Sequence, residues 1–328
     1  MDAAAPGEPG RVRVAVIGAG QMANRVHYPS LASLPEVSMV AACDLDQDRL
    51  RATADRFQIE GRYTDYQEMI DRCAPEAVYA IGQPHTMYDV WTWCLERGLA
   101  LFIEKPMGLT MHQARALAHL ADRYGCITQV GFQRRTCPMV VALRQRCLLR
   151  GPILYAVCRF TKDSTEPFLG ARDHMLDDGV HAIDTLRWMC GGEVTRIQTV
   201  TRRHSVPDIN LIVALLEFDN GSTGMLACSW AGGRRVFSVE MHGRGISIEA
   251  EHEGKGRAYE DGDTTGEEYD SRAVAGSDAF HVYAGFQAKT REFITSVRSG
   301  TQPGSSFADA VKTMEVAERI LAMDLLSN

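Results

Sequence analysis

The run "VRVAVIGAGQMA", residues 12–23, constrains the fold more than any other stretch of the chain. Val12 to Ile17 is an apolar strand that ends on Gly18-x-Gly20-x-x-Ala23. A helix-like stretch follows, with Pro29 placed to bend or end it. A short glycine motif by itself is a weak signal. This one follows a strand, opens a helix and precedes Asp44 at the end of the next apolar run, which is the context of a dinucleotide site. Gly18 permits the tight turn, Gly20 lets backbone approach a pyrophosphate, and Ala23 lets the helix pack closely on the sheet. The N–H groups at the start of the helix complement the anion. Asp44 can accept hydrogen bonds from both ribose hydroxyls and would repel a 2′-phosphate. Leu45 and Asp46 bring no compensating cation and Arg49 lies further along, so the motif favours NAD over NADP.

The rest of the first half alternates in the same way. Apolar strands are expected at 37–44, 76–82, 99–104 and 126–132, and a helix at 47–57. Two more helices, "TMYDVWTWCLERG" and "TMHQARALAHLADRYG", each close on a glycine. Strands alternating with helices of this length imply crossover connections and a parallel sheet, so the fold class is α/β. A helix at 138–151 leads away from it. Six extended runs then follow between 153 and 251, with Asn220-Gly221 marking a hairpin. They predict a largely antiparallel sheet. The polar, glycine-rich stretch 252–278 reads as a loop, and helices around 280–298 and 307–325 finish the chain. The domain organisation expected is 11–133 for the nucleotide and 134–328 for substrate and oligomer contacts, with the C-terminal helix able to pack back on the first domain.

One helix in the second half, "HMLDDGVHAIDTLRWMCGG", carries Asp177, His181 and Asp184 at i, i+4 and i+7, on one stripe of a regular helix. Gly179 inside it costs roughly 1 kcal/mol relative to alanine, which suggests that a ligand or another backbone approaches there. The bland alternative is a solvated acidic face. A zinc site built on His174, Asp177 and His181 lacks a clear fourth ligand, so no metal is expected.

A formal charge of −7 argues against a nucleic-acid partner, and the arginines of "QRR" (133–135) and "TRR" (201–203) read as solvated faces. No apolar run is long enough to span a bilayer. The lead "MDAAAPGEPG" reads as disordered and lacks a signal pattern. Nine cysteines without a Cys-x-x-Cys pair suit reduced thiols in a cytoplasmic protein.

Taken together, "GAGQMANRVHYPSL", "CDLD", "IEKPMG", "GFQRR", "LDDGVHAID" and "GTQPGSSFADAVKTMEVAERI" resemble the Gfo/Idh/MocA oxidoreductases, over roughly residues 11 to 325. The resemblance implies a Rossmann domain followed by an α/β domain with an open sheet, and a homodimer or homotetramer formed through that sheet. It implies that Lys105, Asp177 and His181 line the substrate pocket. Gly18, Gly20, Gln21, Met22, Ala23 and Asp44 would hold the nucleotide, and Gln83, Pro84, Glu104, Lys105 and Gln133 would lie near its nicotinamide end. Three departures stand out: Gly82-Gln83-Pro84-His85 near the nicotinamide, Arg172-Asp173-His174 where relatives carry a glycine pair, and Gln133 in place of asparagine.

The chemistry follows from residue type. A neutral imidazole, His181, suits removal of a hydroxyl proton near neutral pH, and Asp177 would hold its ring and stabilise the imidazolium. Lys105, the only lysine before Lys162 in an arginine-rich chain, would present a compact ammonium to the alkoxide-like oxygen. The leading expectation is an NAD-dependent dehydrogenase of a sugar, sugar derivative or cyclitol. A glycosidase that uses NAD in a transient oxidation, and a non-catalytic ligand sensor, are the alternatives.

Overall fold

Burial of both faces of Val12–Ile17 (β1) requires a neighbour on each side and helices above and below. The computed structural model supplies them; it describes residues 10–164 and 173–326. The lead 1–9 and Arg172 lie outside the described residues. The chain forms two compact units. One takes the described residues up to Gly131 together with Phe286–Val311; the other takes Phe132–Gly285 and the described residues from Lys312 onward.

In the first unit, β1, Val37–Cys43 (β2), Gly61–Tyr63 (β3), Ala77–Ala80 (β4), Ala100–Ile103 (β5) and Thr128–Val130 (β6) form one parallel sheet in the order β3-β2-β1-β4-β5-β6. Its helices are Tyr28–Ala32 (α1), Gln47–Phe57 (α2), Tyr66–Cys73 (α3), Pro84–Glu96 (α4) and Met111–Arg123 (α5). Their starts follow local chemistry. The side chains of Asp46, Asp65 and Thr110 accept the first N–H groups of α2, α3 and α5. Pro29 does not end its helix. Ala23–His27 is wound as a wider π-turn immediately before Pro29, and the chain stays helical through Pro29 to Ala32. The core is aromatic: Tyr79 stacks on Phe102 at 4.4 Å, and Phe293, from the helix Phe286–Ser299, meets both edge-on. Lys289 on that helix is buried, with Nζ bonded to Glu292 Oε2 at 2.6 Å and Ser305 Oγ at 3.0 Å.

The second unit holds an eight-stranded sheet. Tyr155–Asp163 (β7), Val194–Arg202 (β8), Leu211–Phe218 (β9), Thr223–Ser229 (β10), Ala231–Gly243 (β11), Ile246–Glu251 (β12), Lys255–Glu260 (β13) and Glu267–Asp270 (β14) lie in the order β14-β13-β12-β11-β7-β10-β9-β8. All neighbours are antiparallel except β7 and β10. The helices Pro138–Leu148 (α6) and Val180–Cys190 (α7) bury one face of it. Gly224 lets α7 come close, since a Cβ there would lie 2.9 Å from Leu186 Cδ2.

Residues 252–278 are not a loop. They form β13, β14 and the short helix Ser271–Ala275. These edge strands are held by charge more than by apolar alternation, which hid them. Lys255 and Arg257 both bind Glu268, while Arg146 and Arg150 from the end of α6 reach Glu260, Asp261 and Glu267. The helix expected at 280–298 is broken at Gly285 (φ +94°), where a Cβ would lie 2.5 Å from the Gln133 carbonyl oxygen. Nor are Arg134 and Arg135 solvated. Both are buried: Arg134 lies 3.6 Å from the Phe237 ring centroid, and Arg135 grips Asp184 with two bonds of 2.6 and 2.5 Å. Among the described residues no helix is long and apolar enough to cross a membrane.

Candidate functional site

Parallel pairing of β2, β1, β4 and β5 brings the residues that follow them to one edge of the first unit's sheet: Gly18, Asp44, Gln83, and Glu104 with Lys105. The strand order reverses between β1 and β4, where ligands of such sheets bind. Gly18 has φ +102°, and a Cβ on it would collide with the carbonyl oxygen of Ile81. No atom lies within 4 Å of the place a Cβ on Gly20 would take, so its bare backbone faces open space. Ala23 is buried against the sheet, whereas Gln21 and Met22 are exposed at the start of the turn. A cavity of about 350 Å³ opens beside them, lined among others by Gly20, Gln21, Asn24, Thr53, Arg49 and Arg56.

Asp44 is held in place. Its Oδ2 accepts the Ala19 N–H at 2.7 Å; its Oδ1 accepts the Asp46 N–H and Arg49 Nη2, both at 2.9 Å. Burial pushes the carboxyl upward, but those backbone donors and the guanidinium outweigh it and keep it below the usual carboxylate range. Arg49, further along the sequence, therefore points at Asp44. The bare glycine backbone, the open cavity and the fixed carboxylate suit a dinucleotide's pyrophosphate and ribose.

Gln83 caps α4 from an exposed position, and Pro84 is buried in its first turn. Met87 covers Gly82, where a Cβ would sit 2.8 Å from its sulfur. Glu104 is buried; Oε1 meets His27 Nε2 at 2.8 Å and Oε2 accepts the Lys105 N–H at 3.2 Å. Gly131 leaves space for this carboxylate, since a Cβ there would lie 2.8 Å from Glu104 Oε1. Lys105 is half-buried, on a cis bond to Pro106.

In the second unit, Gln133 is buried and opens a tight turn, Gln133–Thr136. Asp177 and His181 do not lie on one regular helix. Met175–Gly179 is a π-turn and α7 starts at Val180, so the 3.6-residue stripe is interrupted between them. The space beside Gly179 is taken by a side chain, with a Cβ there 2.7 Å from Met175 Sδ, and not by backbone. His181 is buried, its ring edge-on to Phe132 at 6.0 Å. Asp177 Oδ2 lies 4.0 Å from Lys162 Nζ, and the same ammonium is ion-paired with Asp178, which also accepts Trp230 Nε1 at 3.0 Å. His174 Nδ1 meets Asp208 Oδ2 at 2.5 Å beside Trp230. Asp184, the third member of the expected stripe, is consumed by Arg135.

The sequence reading missed His27, Arg49 and Lys162 as neighbours of these groups. Lys162 had a signal: with Lys105 it is one of only two lysines before Lys255, and it sits at a strand end.

Comparison with known proteins agrees with this geometry. A family model described as "Oxidoreductase family, NAD-binding Rossmann fold" matches residues 12–132, and one described as "GFO/IDH/MocA C-terminal domain" matches residues 151–249. The scyllo-inositol 2-dehydrogenase (NAD(+)) of Bacillus subtilis is 27% identical over 67% of this chain and 67% of its own length. The D-apiose dehydrogenase of Paraburkholderia graminis is 26% identical over 94% of this chain and 86% of its own. Among solved structures, a dehydrogenase from Chromobacterium violaceum superposes with a TM-score of 0.88 at 20% identity, covering 97% of this chain and 96% of that one.

Proposed function

Because this chain belongs to the Gfo/Idh/MocA oxidoreductases, we propose that it is an NAD-dependent enzyme acting on a secondary alcohol or ketone of a sugar, sugar derivative or cyclitol. The observation that carries the reading is the collection of Gly18, Asp44, Glu104 and Lys105 on one edge of a parallel sheet. The names of the two dehydrogenase relatives, one acting on a cyclitol and one on a sugar, support the substrate class.

NAD, when bound, accepts or returns the hydride. The first unit holds it: Gly18 and Gly20 keep backbone bare for the pyrophosphate, Gln21, Met22 and Ala23 open the helix that faces it, and Asp44 meets the ribose. Gln83, Pro84, Glu104 and Gln133 are assigned to its nicotinamide end. The second unit binds substrate. His181 takes the hydroxyl proton, and Asp177 keeps the imidazole oriented and stabilises its cation. The Lys105 ammonium donates to the oxygen as charge develops on it, which a wider, always-protonated guanidinium does less well.

Copies of the chain associate through the open face of the second unit's sheet into a homodimer or homotetramer. Val200, Val213 and Leu215 are exposed there on paired strands β8 and β9. A cytoplasmic location is supported by nine cysteines that are all free and buried.

The test is incubation of the purified chain with NAD+ and a panel of sugars, sugar acids and cyclitols while NADH is followed. Substrate-dependent NADH supports the reading. Release of free sugar from glycosides without net NADH overturns it in favour of a glycosidase.

A further inference from the structure

Two carboxylates and one ammonium meet at the wide turn that precedes α7. Lys162, next to last in β7, pairs its Nζ with Asp178 Oδ2 and stands 4.0 Å from Asp177 Oδ2. Adjacent helical residues do not face each other, so a cation near both carboxylates has to reach in from outside the turn, here from the sheet. Trp230 Nε1 donates to the same Asp178 oxygen at 3.0 Å, and the Ser164 N–H donates to the Trp230 carbonyl at 2.9 Å. Asp178 is thereby held by two donors. At 4.0 Å Lys162 is beyond hydrogen-bond reach of Asp177, so it acts there through charge and does not occupy that oxygen. The three side chains are only 12 to 23% exposed, and water and salt screen this charge weakly. The neighbouring charged groups have other engagements. Asp173 accepts the Leu176 N–H, His174 meets Asp208, and Arg135 is bound to Asp184. Arg134 acts on Asp178 from the turn Gln133–Thr136, with Glu253 4.0 Å away, and the Cys228 thiol on β10 is kept neutral by burial.

We propose that Lys162 is a positioning residue of the proton-accepting pair: bound to Asp178 and close to Asp177, its ammonium leaves one net negative charge beside His181 instead of two, and so sets how readily the imidazole takes the substrate proton. Without Lys162 the imidazolium would be overstabilised, and a ring that already holds its proton at working pH cannot accept another. This rests on the reading that Asp177 and His181 take the hydroxyl proton. It goes beyond that reading in giving the adjacent carboxylate, Asp178, and its cation a part in tuning the pair.

NMR of the full chain carrying isotope-labelled histidine, titrated from about pH 5 to about pH 9, reads the His181 ring directly and needs no substrate; His181→Gln assigns the signal. Lys162→Met should raise the His181 midpoint by at least about 0.5 pH unit, and Asp178→Asn should lower it by a similar amount. The double variant restores the charge count and should titrate like wild type, as should Lys162→Arg. A turn that had merely lost a structural tie would not regain its midpoint when a second tie is removed. Asp177→Asn checks the underlying reading and should also lower the midpoint. If it leaves the midpoint unmoved, the pair itself is misread and the inference falls with it. If Asp177→Asn shifts the midpoint while Lys162→Met, melting like wild type, does not, the role of Lys162 alone is overturned. Should Lys162→Met fail to fold, Asp178→Asn decides, and an unmoved midpoint there overturns the proposal. A ring that titrates in none of these proteins within that range overturns it as well.

Discussion

His27 Nε2 lies 2.8 Å from Glu104 Oε1, and both residues are buried. The other ring nitrogen, Nδ1, is buried without a hydrogen-bond partner among the described residues. A bare lone pair there costs less than a bare N–H, so the ring is read as the Nε2–H tautomer, donating to the carboxylate. Glu104 in turn accepts the N–H of Lys105, so the turn carrying the ammonium is tied to the helix that follows the glycine motif. Replacing His27 by leucine removes the donor and leaves the carboxylate oxygen buried. Denaturant unfolding should show a loss of about 3 kcal/mol. His27→Gln, with an amide donor of similar reach, should restore part of it. An unchanged midpoint in His27→Leu would show that the pair contributes nothing.

Lys105→Ala should lower turnover at least about a hundredfold, the scale of losing a donor aimed at developing charge, while NAD+ still binds. Lys105→Arg should not restore the rate, since the wider guanidinium cannot take the same position. Single-turnover kinetics alongside calorimetry separates the two effects. Near-normal turnover in Lys105→Ala would refute the role given to the lysine.

Much of the first unit was legible because its signals are local. An apolar run ending in glycine, a cap such as Asp46 and a closing glycine each act within a few residues. What escaped notice depends on distant partners. Arg135 looked solvated because Asp184 is 49 residues away, and β13 and β14 looked like loop because part of what holds them is charge from Arg146 on α6 and Arg150 just after it, more than a hundred residues earlier. The helix bearing His181 was found, but its wide turn at Met175–Gly179 was not, since hydrophobic periodicity averages over one inserted residue. The identities of Lys105, Asp177 and His181 were readable as residue types; their settings beside Glu104, Lys162 and Phe132 were not.

His252 is fully buried, and burial together with the nearby Arg134 charge pushes its imidazole well below the ordinary value. The folded chain therefore keeps it neutral at a pH where the unfolded chain takes up a proton. Stability is complete above about pH 6.5 and falls as pH drops below it, by about 1.4 kcal/mol per unit until the lower folded value is reached. Urea unfolding at about pH 7.5 and about pH 5.5 should show this loss in wild type and a smaller one in His252→Leu. Equal losses in the two proteins would assign the pH dependence elsewhere.

Two aspartates seven residues apart should give opposite phenotypes. Asp184 is buried and accepts two bonds from the buried Arg135, with Thr313 Oγ1 at 3.2 Å from the same carboxylate. Asp184→Asn weakens that pair and leaves the guanidinium short of its counter-charge, at a cost of about 3 kcal/mol or more. Asp177 sits half-buried in the π-turn, 4.0 Å from Lys162. Asp177→Asn should change stability by less than about 1 kcal/mol, yet lower kcat at least about a hundredfold through loss of the carboxylate that stabilises the imidazolium. Thermal melts and steady-state kinetics on the two variants separate the roles. If Asp177→Asn melted early with kcat intact, or Asp184→Asn kept its stability and lost kcat, the two aspartates would have to exchange the parts given to them here.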